Sequence, residues 1–315
     1  MILMWTVLVG CAGLDSFIFN PVHCSTVSQE TCEDRGTWDQ VCTTCEDAYP
    51  WDRSHPWMAD TLDDGESVRP IDPATVTQLT IDTADGQGTL DGYLIPGFGE
   101  NADVTMLYNH GNYAGIEHYL PRLRFLHEAG YTIIVWDYRG YGKSQPDTVP
   151  TVEQFEADAQ TVRDRAAEDA PDPDRIILYA NSLGAIPAVN MGRERPGCAM
   201  ILEAPLTSLE GVTRSEAGVP IPDSFLSEGR FNNVDRIMGY DGPLFAMIGS
   251  ADQRFSPDDV EEMVDNAGAD PANKELWILD GVQHGITGGG VPEAGLSVYL
   301  ERIAAFLDEK TDCVP

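Results

Sequence analysis

The 315-residue sequence predicts an α/β fold, a mostly parallel eight-stranded sheet flanked by helices, with a small cap and an irregular Cys-rich N-terminal segment. Three observations carry that prediction. Short continuous apolar runs recur along the chain, as strands covered on both faces require. Segments with helical spacing separate most of them, the pattern of strand–helix–strand units joined by right-handed crossovers. An alternating pair of segments precedes them and marks an antiparallel start.

The alternating pair spans 76–81 and 89–95 and is joined by the turn-forming Asp85-Gly86-Gln87-Gly88. The apolar runs follow at 104–108, 131–136, 175–180, 199–202, 244–248 and 276–279. Helical patterns lie at 119–129, 152–167, 185–193, 258–266 and 294–307. The segment of about 205–240 is short and carries Pro205, Pro220, Pro222, Phe225, Leu226 and Phe231, which predicts a small cap or an open cleft. The chain therefore divides into residues 1–11, an irregular segment at 12–70 and a main regular unit at 71–315. The middle segment has no sustained period, is rich in Cys, Asp, Pro and Trp, and is expected to be a disulfide-pinned tether packed on the main unit.

Composition sets bounds on function. There are 19 Lys and Arg against 52 Asp and Glu, a formal net charge of −33, and such a surface repels phosphate backbones, so nucleic-acid binding is not expected. Lys143, Lys274 and Lys310 are the lysines of the chain, and an acidic, Lys-poor surface suits either salty surroundings or an ordinary secreted protein. No apolar stretch reaches the roughly 18 residues of a membrane-spanning helix.

The apolar start ends in Leu8-Val9-Gly10-Cys11, which resembles the lipobox of bacterial lipoproteins, without the basic residue that usually precedes it. The resemblance implies acylation of the Cys11 thiol, and hence an exported, membrane-anchored protein facing the periplasm or cell exterior. Setting Cys11 aside from seven cysteines leaves six, Cys24, Cys32, Cys42, Cys45, Cys198 and Cys313, which suits up to three disulfides of open connectivity. A four-thiolate zinc site from Cys24, Cys32, Cys42 and Cys45 is the alternative, since Cys42-Thr43-Thr44-Cys45 has ligand spacing.

The run Ile176 to Asn181, then Ser182-Leu183-Gly184-Ala185, carries an apolar strand into a serine and a helix of small residues. A tight turn at the serine brings the strand and helix backbones together, so small residues are needed two before and two after it; here they are Ala180 and Gly184. This resembles the G-x-S-x-G nucleophile elbow of the α/β-hydrolase family, with Ala180 in place of the first Gly. Read alone, Ser182 could equally be a helix cap.

Further matches follow in chain order. Asn109-His110-Gly111-Asn112 resembles the family's loop after the third strand, and Asp137-Tyr138-Arg139-Gly140-Tyr141-Gly142-Lys143-Ser144 its D-x-R-G-x-G-x-S loop. The Gly-Lys-Ser ending is no phosphate loop, because Asp137 stands where that motif needs Gly. Asp137 and Arg139 are expected to pin the loop by mutual hydrogen bonds, and His110 to be structural. A serine hydroxyl is a weak nucleophile and needs an imidazole base oriented by a carboxylate. Gly249-Ser250-Ala251-Asp252 matches the family's turn after the seventh strand, and Gly281-Val282-Gln283-His284-Gly285 the loop carrying the base.

The resemblance, which covers roughly residues 75–310, implies Ser182 as nucleophile, Asp252 as acid and His284 as base. It also implies backbone oxyanion donors at Leu183 and Asn112. Asp241 and Asp280 are the rival acids. The implied branch includes serine-aminopeptidase-like domains and depalmitoylase-like hydrolases, and the implied reaction is cleavage of a small-molecule carboxylic ester or thioester. It calls for no metal or other cofactor, and for membrane contact through Cys11 alone. An exported aminopeptidase-like peptidase is the first alternative, with Glu203 as the carboxylate that could hold a substrate ammonium. A lipid-anchored binding protein that keeps the fold without activity is the second.

Overall fold

The computed structural model describes residues 18–21, 23, 69, 71–112, 115–284 and 295–314. Cys11, the other cysteines before residue 50 and most of the 12–70 segment lie outside the described residues.

Eight strands form one sheet: β1 (Thr77–Asp82), β2 (Thr89–Ile95), β3 (Thr105–Asn109), β4 (Thr132–Trp136), β5 (Ile176–Asn181), β6 (Ala199–Glu203), β7 (Leu244–Gly249) and β8 (Lys274–Leu279). Their spatial order is β1-β2-β4-β3-β5-β6-β7-β8, with β1/β2 and β2/β4 antiparallel and every other pair parallel. Helices α1 (Ile116–Glu128), α2 (Val152–Asp169), α3 (Ala185–Glu194), α7 (Pro257–Asn266) and α8 (Leu296–Lys310) connect and cover the strands. Between β6 and β7 lie the short helices α4 (Leu209–Ala217), α5 (Asp223–Leu226) and α6 (Asn233–Arg236), the small cap that the sequence predicts.

The apolar runs read as continuous because both faces of the central strands are covered. Leu107, Leu178, Leu202 and Ala246 face one core, shared with α2, α3 and α7. Met106, Tyr179, Ile201 and Met247 face the other, shared with α1 and α8. At about 25 cal/mol per Å² of apolar area, each such side chain contributes roughly 1.5–3 kcal/mol before entropy is counted. The edge strand β1 instead alternates exposed and buried residues, as one-sided burial demands.

Local chemistry sets the helix ends. Thr151 and Gln154 form a capping box at the start of α2, worth about 1 kcal/mol. Ser256 caps α7 ahead of Pro257, and Gly218, at φ 68°, ends α4 in the left-handed conformation that glycine adopts without strain. In the cap, the Asp223 carboxylate accepts from Leu209 N (2.7 Å) and Glu210 N (3.3 Å), joining α5 to the start of α4. A disulfide between Cys198 and Cys313 ties the start of β6 to the segment after α8.

The expected mutual bonding of Asp137 and Arg139 does not occur. Strand β4 ends at Trp136, and beyond it the two side chains diverge. Arg139 reaches α2 and the β1–β2 turn, pairing with Asp158 (2.8 Å) and Asp85 (2.8 Å). Asp137 lies within 3.3 Å of His110 Nε2 and accepts from Ile116 N at 2.9 Å. Burial holds the Asp137 carboxyl well above the usual carboxylate range. Gly142 makes room for it: a Cβ there would stand 1.9 Å from Asp137 Oδ2.

Candidate active site

Ser182 follows β5 at the C-terminal edge of the sheet and has φ 53°. A non-glycine residue held in the left-handed region costs about 1–2 kcal/mol, so surrounding contacts must hold it. Two of them are visible. The Ser182 carbonyl accepts from Leu206 N at 2.9 Å, from the chain that leaves β6. Gly184 lies so close to the end of β3 that a Cβ on it would stand 2.0 Å from the Asn109 carbonyl oxygen. This close approach explains the small residue two positions after the serine. Ala180, two positions before it, is fully buried in β5 and is accommodated without a glycine. Ser182 is itself 9% exposed, reachable yet largely enclosed.

The His110–Gly111 loop sits against the same turn. A Cβ on Gly111 would lie 3.1 Å from Asn181 Oδ1 and 3.4 Å from Ser182 Cβ. His110 is buried, with its ring stacked on Tyr138 (4.0 Å) and Tyr119 (5.1 Å) and Nδ1 2.8 Å from the Gly111 carbonyl. These contacts make it a structural residue of the loop.

Asp252 and His284 stand after β7 and β8, and the sheet brings them together: His284 Nδ1 is 2.8 Å from Asp252 Oδ2. Backbone bonds fix this pairing. Ser250 N donates to the Leu279 carbonyl (2.7 Å) and Ala251 N to that of Val282 (3.0 Å), lacing the two loops together. Asp252 Oδ1 accepts from Arg254 N (2.8 Å) and Phe255 N (3.0 Å), which leaves Oδ2 for the imidazole. The Phe255 ring packs edge-on to that of His284, with centroids 5.1 Å apart. Both side chains are well enclosed, at 8% exposure for His284 and 0% for Asp252. The rival Asp280 accepts from Ser250 Oγ (3.3 Å), and the rival Asp241 is exposed ahead of β7.

Glu203 does not fit the role of an ammonium-binding carboxylate. It is 1% exposed at the end of β6, ion-paired with Arg122 and accepting from the Tyr179 hydroxyl at 2.7 Å. The Tyr299 hydroxyl, which also bonds Tyr179, stands 3.4 Å away. Burial pushes the Tyr179 phenol up to about 12, so it stays a neutral donor.

Two further features shape the site. Ala204, the residue after Glu203, has φ 43° and donates to the Met247 carbonyl, turning the chain toward the Ser182 carbonyl. The side chain of Asn112 is bonded to residues near position 20 (below), and no local sequence signal marks either feature.

An antiparallel second strand in a mostly parallel eight-stranded sheet, a strained serine after the fifth strand and a carboxylate–imidazole pair after the seventh and eighth define the class of protein. A family model described as serine aminopeptidase, S33, matches residues 100–223. The uncharacterized protein Rv2307c of Mycobacterium tuberculosis is 30% identical over 235 residues, 73% of this chain and 79% of that one. Alpha/beta hydrolase domain-containing protein 17B of Homo sapiens is 29% identical over 160 residues, 49% of this chain and 51% of its own. The structure of the Pyrococcus furiosus esterase Pf2001 matches with a TM-score of 0.59 at 23% identity, covering 74% of this chain and 91% of that one. The chain belongs to the α/β-hydrolase superfamily.

Proposed function

We propose that the protein is a serine hydrolase that cleaves a carboxylic ester or thioester through an acyl-enzyme on Ser182. The observation that carries this reading is the 2.8 Å bond from His284 Nδ1 to Asp252, on the same edge of the sheet as the strained Ser182. With its Nδ1 proton on Asp252, the imidazole presents an unprotonated Nε2 as base. That nitrogen takes the Ser182 proton as Oγ bonds to the substrate carbonyl carbon, and the carbonyl π electrons move onto oxygen. The backbone N–H groups of Leu183 and Asn112 stabilise this oxyanion. On collapse, the C–O or C–S bond to the leaving group breaks, and His284 returns the proton to that group. Water, deprotonated by His284, then repeats the sequence and releases the acid.

The serine-aminopeptidase match over 100–223 favours a peptidase as second reading. Against it stands the engagement of Glu203 by Arg122 and Tyr179, which leaves that carboxylate unable to receive a substrate ammonium. Hydrolysis of p-nitrophenyl esters of graded chain length, set against aminoacyl-p-nitroanilides, tests the choice. Ester turnover lost in Ser182→Ala supports the esterase; turnover of the anilides alone overturns it.

The Cys11 lipidation reading belongs to the same proposal: a tethered enzyme outside the cytoplasm, for which the Cys198–Cys313 disulfide is support. Mass spectrometry of the mature N-terminus checks it; an unacylated chain that retains residues before Cys11 contradicts it.

A further inference from the structure

The chain near position 20 docks beside the serine turn. Ile18 and Phe19 are buried at 4% and 1% exposure. The Phe19 ring lies 5.0 Å from that of Phe155 in α2 and 5.9 Å from that of Phe231 in the cap. His23 reaches the D-x-R-G-x-G-x-S loop, with Nε2 2.9 Å from the Ser144 carbonyl and Nδ1 3.3 Å from Asp147.

Between these anchors the segment grips Asn112. The Asn112 Nδ2 donates to the Ile18 carbonyl at 2.7 Å. Its Oδ1 accepts from Asn20 N at 2.8 Å and from the Tyr141 hydroxyl at 2.5 Å. Asn20 N also lies 3.2 Å from the Tyr141 oxygen, so the three groups close on one another. The carboxamide therefore has both of its ends occupied by partners from two separate parts of the chain. Its own peptide follows Gly111, the residue packed against Ser182. The Gly111–Asn112 peptide, which carries the Asn112 N–H, is held at its carbonyl end by His110 Nδ1, 2.8 Å from the Gly111 oxygen. The grip on the Asn112 side chain anchors the other end of that peptide unit.

We propose that the docked segment at Ile18–Pro21 positions the oxyanion site: by holding the Asn112 carboxamide, it aims the Asn112 main-chain N–H at the substrate oxygen. The positioning groups in this scheme are the main-chain N–H at position 20 and the Tyr141 hydroxyl, and neither touches a reacting atom. The inference rests on the reading of Ser182 as nucleophile. Its consequence is that activity depends on a contact between residues 92 positions apart, made by a segment that precedes the regular fold.

The test removes one N–H from the full chain. Asn20→Pro deletes the backbone donor to Asn112, whereas Asn20→Ala keeps it and changes an exposed side chain. The expected result is a loss of about tenfold or more in kcat for Asn20→Pro, the scale on which small misplacements act. KM is expected to stay within about twofold, because the oxyanion contact is made in the transition state and not in the ground state. Fluorophosphonate labelling should slow with kcat, affinity for an alkylboronic acid should weaken, and Asn20→Ala should behave as wild type. Tyr141→Phe, which removes the second donor to Asn112 without touching the backbone, should show the same kcat-specific loss at smaller size and covers the case in which the proline variant fails to fold. Wild-type kcat in a folded Asn20→Pro or Tyr141→Phe variant overturns the inference, as does an equal loss in Asn20→Ala. Wild-type protein that neither labels nor turns over esters overturns the hydrolase reading itself, and the inference with it.

Discussion

Replacing Asp252 by Asn changes one atom and reverses the polarity of the face that meets His284. The Arg254 and Phe255 N–H groups, at 2.8 and 3.0 Å, demand an acceptor at the Oδ1 position. They hold the amide carbonyl there, so the NH2 takes the place of Oδ2 and points at His284 Nδ1. The imidazole must then accept through Nδ1 and carry its proton on Nε2, where it cannot take one from Ser182. Loss of the base in this way is expected to lower kcat by about 10³–10⁴, or about 4–5.5 kcal/mol at 1.36 kcal/mol per tenfold. Shape and backbone bonds are preserved, so unfolding free energy should move by less than about 1 kcal/mol. Steady-state ester hydrolysis and urea unfolding of Asp252→Asn, with Asp280→Asn as control, measure both quantities. A kcat within about tenfold of wild type refutes the assignment of Asp252, as does an equal loss in Asp280→Asn.

Other consequences follow from single contacts. Asp158→Ala strips the buried Arg139 guanidinium of the two bonds it makes to that carboxylate, at 2.8 and 2.9 Å, and leaves it paired with Asp85, so urea denaturation should register about 1.5–3 kcal/mol of destabilisation. Opening the Cys198–Cys313 bridge by the double Cys→Ala replacement frees a loop with a sequence separation of 115, and the same assay should register a loss of about 2–5 kcal/mol. His127 is buried with its ring 3.2 Å from the Pro96 carbonyl, and desolvation holds its pKa below the usual 6.5. A depressed base binds fewer protons folded than unfolded, so its contribution is intact above 6.5 and is lost as the pH falls below that value. Urea midpoints of His127→Gln should therefore decline less steeply than wild type on acidification; parallel profiles contradict this.

Much of the fold was legible because the central strands are covered on both faces. Runs such as Ile176 to Ala180 then admit no polar residue, and turn residues bound them. The Ser182 turn was legible for a related reason, since the close approach of Gly184 to Asn109 leaves a mark in residue size. Asp252 rested on a short turn match and on order along the chain, because the lacing of the β7 and β8 loops that joins it to His284 links residues about 30 positions apart. The errors concern side chains whose partners come from elsewhere. Arg139 turned to Asp158 and Asp85 because β4 had ended. Glu203 reads as a loop carboxylate after a strand, yet Arg122, Tyr179 and Tyr299 converge on it from one helix, one strand and another helix. Cysteine parity suited disulfides but not their connectivity, and the pairing of Cys198 with Cys313 depends on where α8 ends. The Asn112 contacts with Ile18 and Asn20 span more than 90 residues and follow no period.

Covalent labelling with an alkyl fluorophosphonate, followed by peptide mass spectrometry, tests the central claim most directly. Wild-type protein is expected to carry one phosphonyl group, on Ser182, and folded Ser182→Ala none. Folded wild-type protein that stays unlabelled, or a label that persists in Ser182→Ala, contradicts it.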